Sequence, residues 1–217
     1  QAGSIVGLSS IVLGVAWQDG GMNIWAAVAL AVVVAGVCGA LSGYFVAYCG
    51  VQPMVVTLGG SFLFTGVALL VSNLSATESY KGISGFPDSF LQLSKFKLFG
   101  VIPCQVIIFL VLAGIAYVLL NKTKYGRMVF LIGVNKDAAE FSGINTRLIT
   151  MTTYILSGIS AAIAGIILTS YIGTAKSDIG VTFTLPIITA VVLGGTLSTG
   201  GKGSCLLYTS PSPRDRG

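Results

Sequence analysis

Few residues of this sequence are of the types that carry out chemistry. It contains no histidine and four cysteines, which are Cys38, Cys49, Cys104 and Cys205. The spacing of these cysteines fits neither a zinc site nor a disulfide framework. Because Cys38 and Cys49 lie in apolar runs, we interpret them as small packing residues, and we predict no metal site and no catalytic residue.

A glycine-rich run near the end of the sequence superficially resembles a phosphate-binding loop. It reads Thr196-Leu-Ser-Thr-Gly-Gly-Lys-Gly203. Such a loop requires Gly at the position of Thr196 and Ser or Thr at the position of Gly203, so the pattern fails at both ends. We therefore predict that the chain is not an enzyme, has no ATPase site and binds no cofactor.

The composition indicates the class of protein to which these residues belong. Hydrophobic residues make up 54% of the chain, charged residues make up 9%, and the mean hydropathy is +0.91. A typical soluble domain is roughly 25% charged. The net charge of +5 comes from scattered basic residues, which argues against a nucleic-acid partner. The sequence predicts an all-α membrane protein whose surroundings are the lipid bilayer.

Long runs without charge mark the predicted membrane spans. No charged residue lies between positions 20 and 77, and Gly50-Val-Gln-Pro53 divides that stretch into two. A spanning helix needs about 20 apolar residues, and these runs lack the alternation of barrel strands. We predict a polytopic transmembrane helix bundle with six spans, at 1–18, 22–49, 53–72, 101–120, 148–170 and 179–200.

The two ends of the sequence differ from the part between them. Gln1 already lies in an apolar run, which predicts a fragment cut within a spanning helix. From Cys205 to Gly217 the composition changes abruptly and resembles a translated sequencing adapter, and the alternative is a genuine polar tail. We expect residues 1–204 to form a truncated transmembrane domain and residues 205–217 to be a non-native tail.

Two polar connections, 72–100 and 121–147, flank one predicted span and therefore face opposite sides of the membrane. The first holds three basic residues, Lys81, Lys95 and Lys97. The second holds five, Lys122, Lys124, Arg127, Lys136 and Arg147. Because basic residues accumulate in cytoplasmic connections, we predict that 121–147 is cytoplasmic.

The second connection contains the signals of a short helix. Asn135 is a good N-cap, and Asp137 and Glu140 fall early in the following turn, where the helix dipole favours anions. Gly143 suits a left-handed stop. About seven residues are too few for a helix to persist alone in water, so packing must hold it.

Two surfaces could hold this short helix. Ala138, Phe141 and Ile144 cluster on one side and could fill a groove on another protein, or the helix could lie on its own bundle. The candidate docking residues are Gly133, Asn135, Asp137, Ala138, Ala139, Glu140, Phe141, Gly143 and Ile144.

Small residues recur at helical spacing within two of the predicted spans. Ala35, Gly39 and Gly43 lie four apart, as do Ala161 and Gly165. In lipid, helices associate through close approach at such residues, so the spacing predicts a compact bundle.

Four polar or amphipathic side chains in or near the spans are candidates for a solute path. They are Tyr44, Tyr48, Thr57 and Asn73. A polar group inside a membrane often faces a cavity. The alternatives are that Thr bonds its own helix backbone and that Tyr marks the membrane interface.

Several blocks of the sequence resemble the ribose-type permeases of bacterial ABC importers. The run Gly133-Val-Asn-Lys-Asp-Ala-Ala-Glu-Phe-Ser-Gly-Ile-Asn145 is similar to the cytoplasmic signature of that family. Four further blocks agree in order: Gln52–Gly59, Tyr125-Gly-Arg127 (where the family has Phe-Gly-Arg), Leu156–Gly165 and Ile188–Gly201. The likeness covers about residues 2–204. The region Gly82–Leu93 is similar to autoinducer-2 import permeases in particular.

The resemblance implies a transport subunit of the bacterial inner membrane that moves a sugar or a sugar-like furanose such as autoinducer-2. It implies a second permease subunit, identical or related, two cytoplasmic ATPase subunits and a periplasmic or lipid-anchored substrate-binding protein. The short helix at 135–142 would then dock in an ATPase groove, and ATP would be used by the partner alone. The alternative is an ion-coupled secondary carrier of a small polar solute, which predicts buried ionisable residues and inverted repeats.

Overall fold

The computed structural model describes residues 1–74, 82–87, 90, 97–98 and 102–193, and most of them are helical. The helices are α1 Ala2–Gln18, α2 Ile24–Ala47, α3 Pro53–Leu74, α4 Cys104–Lys122, α5 Lys124–Val134, α6 Lys136–Phe141, α7 Thr146–Ile172 and α8 Thr184–Leu193. Four two-residue strands are β1 Ile83–Ser84, β2 Lys97–Leu98, β3 Ile102–Pro103 and β4 Thr174–Ala175. β1 pairs antiparallel with β4, and β2 pairs antiparallel with β3.

Among the helices that the structure describes, four are long and apolar enough to cross a membrane. They are α2, α3, α4 and α7, which are 19 to 27 residues long. They confirm the predicted helical membrane class and lie where four of the six spans were expected. α1 has 17 residues and the described part of α8 has 10, so the count of six spans stays a prediction. Residues 194–217, with the glycine-rich run and the tail, lie outside the described residues.

α1 lies at the centre of the bundle, in contact with α2, α3 and α7. Most of its residues are buried, and many of them are Gly, Ser or Ala. A methyl group on Gly7 would overlap the carbonyl oxygen of Ser177, and one on Gly3 would overlap the carbonyl oxygen of Gly180. Because its side chains are small, the backbone of neighbouring segments packs directly against the backbone of α1.

The most extensive seam between two helices runs between α2 and α7. A methyl group on Gly39 would lie 2.5 Å from the carbonyl oxygen of Tyr154, and one on Gly43 would lie 3.0 Å from the Cα of Met151. On the α1 side of α7, Gly165 packs against Val6. The predicted close approach at small residues is confirmed.

Residues 82–87 and 90, which belong to the first polar connection, pack onto one end of this bundle. β1 pairs with β4 directly after α7, and the Ser170 hydroxyl donates to the carbonyl oxygen of Phe90 at 2.7 Å. The rings of Trp17, Phe86 and Phe90 stack in series, with centroids 5.4 and 5.3 Å apart. These contacts put the ends of α1 and α7 on the same side as the 72–100 connection, opposite the α5–α6 segment.

Candidate functional site

The helix predicted in the second polar connection is present as α6, with the caps that the sequence indicated. The Asn135 side chain accepts a hydrogen bond from the Ala138 amide at 3.1 Å. Gly143 has φ +78°, a left-handed conformation, and its amide donates to the Glu140 carbonyl at 3.0 Å. α6 is therefore a capped helix whose start and stop are fixed by residues outside it.

The two sides of α6 differ sharply in exposure. Ala139 is 4% exposed and is the buried residue of the helix, which contacts α5 and α7. Phe141 is 94% exposed, Ala138 is also exposed, and Ile144 is half-buried. α6 thus packs on its own bundle through Ala139, and the Phe141 side chain points away from the bundle. Of the predicted apolar cluster, Ala138 and Phe141 face outward.

The helix α5 was missing from the sequence-based prediction, which treated residues 121–134 as polar connection. Its exposed residues are Lys124, Arg127, Leu131 and Val134. Their spacing of three or four positions is that of one helix face, and this spacing was the signal available in the sequence. α5 therefore lies along the bundle as an amphipathic helix and delivers the chain to α6.

A sharp elbow joins α4 to α5. The Thr123 hydroxyl accepts a hydrogen bond from the Gly126 amide at 3.3 Å and caps α5. A methyl group on Gly126 would overlap the carbonyl oxygen of Leu120. Since only glycine fits against that carbonyl, the start of α5 lies in backbone contact with the end of α4.

The four candidate path residues do not come together. Tyr44 and Tyr48 stack on each other, with ring centroids 5.2 Å apart, on an exposed side of α2. Thr57 lies near the start of α3, whereas Asn73 lies near its end. The Thr57 hydroxyl donates to the Pro53 carbonyl at 2.9 Å, which is the backbone bond that the alternative interpretation expected.

Thr57 nevertheless lines a cavity of about 290 Å³, which we call the inner cavity. Its lining residues are Gln1, Ala2, Ile5, Thr57, Tyr154, Ser157 and Gly158. Tyr154 and Ser157, both on α7, were not identified from the sequence. A second cavity, of about 490 Å³, lies between α1, α4, α7 and α8 and is almost entirely apolar. Three residues that carry hydroxyl groups, Thr57, Tyr154 and Ser157, line the inner cavity.

Metal chemistry has no obvious place in the described residues. Within 1–74, 82–87, 90, 97–98 and 102–193, no three His, Cys, Asp or Glu residues lie close enough to hold a metal ion. The described residues form closely packed helices with cavities between them. Such an arrangement could bind a small solute and could change how its helices pack.

Comparison with known proteins agrees with this arrangement. The family described as "Branched-chain amino acid transport system / permease component" matches residues 2–207. The chain is 42% identical over 204 residues to the "Autoinducer 2 import system permease protein LsrD" of Yersinia enterocolitica (serotype O:8 / biotype 1B) and of Yersinia pseudotuberculosis (serotype O:3), and 41% identical to that of Yersinia pestis (strain Pestoides F). These matches cover 94% of the chain and 61% of each relative. No solved structure matches the chain significantly.

Proposed function

The chain belongs to the permease-component family of ABC import systems, and from this membership we propose that it is the membrane-spanning subunit through which a bacterial ABC importer moves a small sugar-like solute. The resemblance to ribose-type permeases is confirmed by the family match. The chain is a multi-pass protein of the bacterial inner membrane, with four membrane-spanning candidates among the described helices. It spans about 61% of the length of the curated relatives that it matches.

The observation that carries the proposal is the exposed aromatic side chain on α6. Phe141 is 94% exposed at the end of a capped helix, whereas Ala139 on the other side holds that helix to its bundle. A large aromatic side chain that fills a pocket on a partner commonly dominates the binding energy of an interface. We infer that α6 is the element that docks on an ATPase subunit, with Phe141 as its anchor.

Docking at α6 would drive transport by changing how the helices pack. When the ATPase subunits close on ATP, they would displace α6, which contacts α5 and α7. The closely packed seams at Gly39 and Gly165 would transmit the displacement, since packed interiors shift between discrete arrangements rather than deform continuously. Alternating access then requires two arrangements that differ by only a few kcal/mol.

The proposed solute is a furanose, and autoinducer-2 is the first compound to test. The relatives named above carry autoinducer 2 import in their names. The inner cavity supports a small polar solute because Thr57, Tyr154 and Ser157 bring hydroxyl groups to one space of about 290 Å³. None of its lining side chains carries a charge at neutral pH, which suits a neutral solute.

The proposed assembly contains a second permease subunit, two cytoplasmic ATPase subunits and a substrate-binding protein outside the membrane. ATP would be bound and hydrolysed by the ATPase subunits alone. Autoinducer-2 would reach the permease from the binding protein, and the permease would contribute no covalent chemistry.

Phe141→Ala in the full-length permease tests the docking role. The permease, its ATPase subunits and the binding protein are reconstituted in vesicles, and ATP-dependent uptake of autoinducer-2 is measured. We expect a loss of about tenfold or more, because removal of an aromatic anchor commonly costs about 2 kcal/mol or more of binding free energy. Insertion of the permease should be unaffected, since Phe141 is not part of the buried core.

Phe62→Ala is the matched control. Phe62 is 80% exposed on α3, a membrane-spanning candidate, so the same truncation is made away from the α5–α6 segment. Uptake equal to wild type in both variants would contradict docking through Phe141. Uptake driven by an ion gradient in vesicles that lack the ATPase would instead establish the secondary carrier.

A further inference from the structure

Three hydroxyl groups link the α5–α6 segment to the long helix α7. The hydroxyl oxygens of Tyr125 and Thr153 lie 2.8 Å apart, and the Thr152 hydroxyl donates to the Tyr125 hydroxyl at 3.2 Å. We call this set, Tyr125 with Thr152 and Thr153, the hydroxyl bridge. It joins residues 27 and 28 positions apart in the chain, so it is a tertiary contact.

The bridge is built so that Tyr125 has two partners whose own positions are fixed. The hydroxyls of Thr152 and Thr153 both bond the carbonyl oxygen of Ile149, at 2.9 and 2.8 Å. Thr153 therefore donates to its own helix and accepts from the Tyr125 hydroxyl, whereas the single hydroxyl proton of Thr152 is shared between the Ile149 carbonyl and the Tyr125 hydroxyl. Thr153 lies about 10 Å along α7 from its first residue at 1.5 Å per residue.

The bridge connects the segment that leads into α6 with the helix that packs most extensively against α2. At one end, Tyr125 lies in the first turn of α5, which leads directly into α6. At the other end, the residue after Thr153 is Tyr154, whose carbonyl oxygen packs against Gly39 of α2. A displacement of α6 that reaches Tyr125 is thus passed to the seam between α2 and α7.

From this placement we propose that the Tyr125 hydroxyl is a positioning group that ties the α5–α6 segment to α7 and transmits its movement to the transport bundle. The inference rests on the proposed function. It adds the residue contact that couples movement of α6 to the packing of the transport bundle.

Single hydroxyl deletions test the proposal with little risk to folding. Tyr125→Phe removes both bonds of the bridge, Thr153→Val removes the shorter one from the α7 side, and both changes keep the shape of the side chain. The controls are Tyr117→Phe, on an exposed part of α4, and Thr150→Val, on α7. The Thr150 hydroxyl makes the same kind of helix-internal bond, to the Thr146 carbonyl at 2.8 Å, and takes no part in the bridge.

The first measurement is amide hydrogen exchange of the full-length permease in lipid nanodiscs without ATPase subunits. Exchange across residues 126–141 should be about threefold faster in Tyr125→Phe and in Thr153→Val, a factor typical of one hydroxyl bond between membrane helices. The double variant should exchange no faster than Tyr125→Phe alone, because that single change already removes every bond of the bridge. Unchanged exchange in all three would overturn the proposal.

The second measurement is the number of autoinducer-2 molecules taken up per ATP hydrolysed in the reconstituted importer. Tyr125→Phe and Thr153→Val should lower this ratio about threefold, whereas Tyr117→Phe and Thr150→Val should leave it unchanged. Faster exchange with an unchanged ratio would overturn the transmitting role. Failure of the wild-type importer to use ATP for uptake would refute the proposed function itself, a result that is distinct from any difference between variants.

Discussion

Gly158→Ala tests whether close helix approach holds the bundle together. Gly158 lies on α7, where it faces α2. A methyl group at this position would lie 2.5 Å from the carbonyl oxygen of Ala35 and 3.3 Å from the Cα of Gly39. Both are backbone atoms, so no side chain can rotate away, and the two helices themselves must separate.

The size of the effect follows from these distances. A carbon atom needs roughly 3.5 Å to its nearest heavy-atom neighbour, so α2 and α7 must move apart by about 1 Å. A gap of that size forfeits roughly a quarter to a half of each dispersion contact along the seam. Overpacking of this kind costs about 1–3 kcal/mol, and we expect about 2 kcal/mol because α2 and α7 form the most extensive helix pair.

The assay is reversible unfolding of the full-length permease in mixed micelles, followed by circular dichroism. Gly66→Ala, on α3, is the matched control because a methyl group at Gly66 would meet nothing within 4 Å. There the better helix propensity of Ala should leave stability unchanged or raise it by up to about 1 kcal/mol. If Gly158→Ala has the same free energy of unfolding as wild type and Gly66→Ala, close approach at the seam does not stabilise the bundle.

Two further predictions concern orientation and the solute path. A Lys124→Cys variant in a cysteine-free background should react with an impermeant thiol reagent only from the cytoplasmic side, and reaction from outside would reverse the assigned topology. Tyr154→Phe should raise the autoinducer-2 concentration for half-maximal uptake about fivefold, the effect of losing one hydrogen bond of about 1 kcal/mol. Tyr44→Phe should leave that concentration unchanged, because Tyr44 lies on an exposed side of α2; the opposite pattern would place the path along the tyrosine pair.

Local signals in the sequence were sufficient for the long helices and for α6. The roles of Asn135 and Gly143 could be predicted from these single positions. A cap and a left-handed stop depend only on backbone groups within a few residues. Both have the predicted roles in the structure. The family resemblance was also readable, because its blocks are short runs in a fixed order.

The sequence-based prediction was wrong or incomplete where a helix has the same polarity as the residues around it. α5 combines two basic residues with apolar ones in a connection that is polar as a whole, so its helical spacing was overlooked. The centre of the bundle could not be predicted either, since α1 is apolar like its neighbours and differs from them in being buried on nearly every side.

The sequence by itself determined that this is a helical membrane protein, where its long helices lie and how α6 is capped. Only the tertiary structure decided which side of each span faces inward. On α2 the buried residues Ala27, Ala31 and Ala35 and the exposed residues Val33, Val37 and Leu41 are all apolar. Because lipid is as apolar as the bundle interior, hydropathy cannot tell the two sides apart, and close packing of small residues selects the inner one. That selection is what brings Tyr154 and Ser157 to Thr57 and leaves Tyr44 and Tyr48 outside.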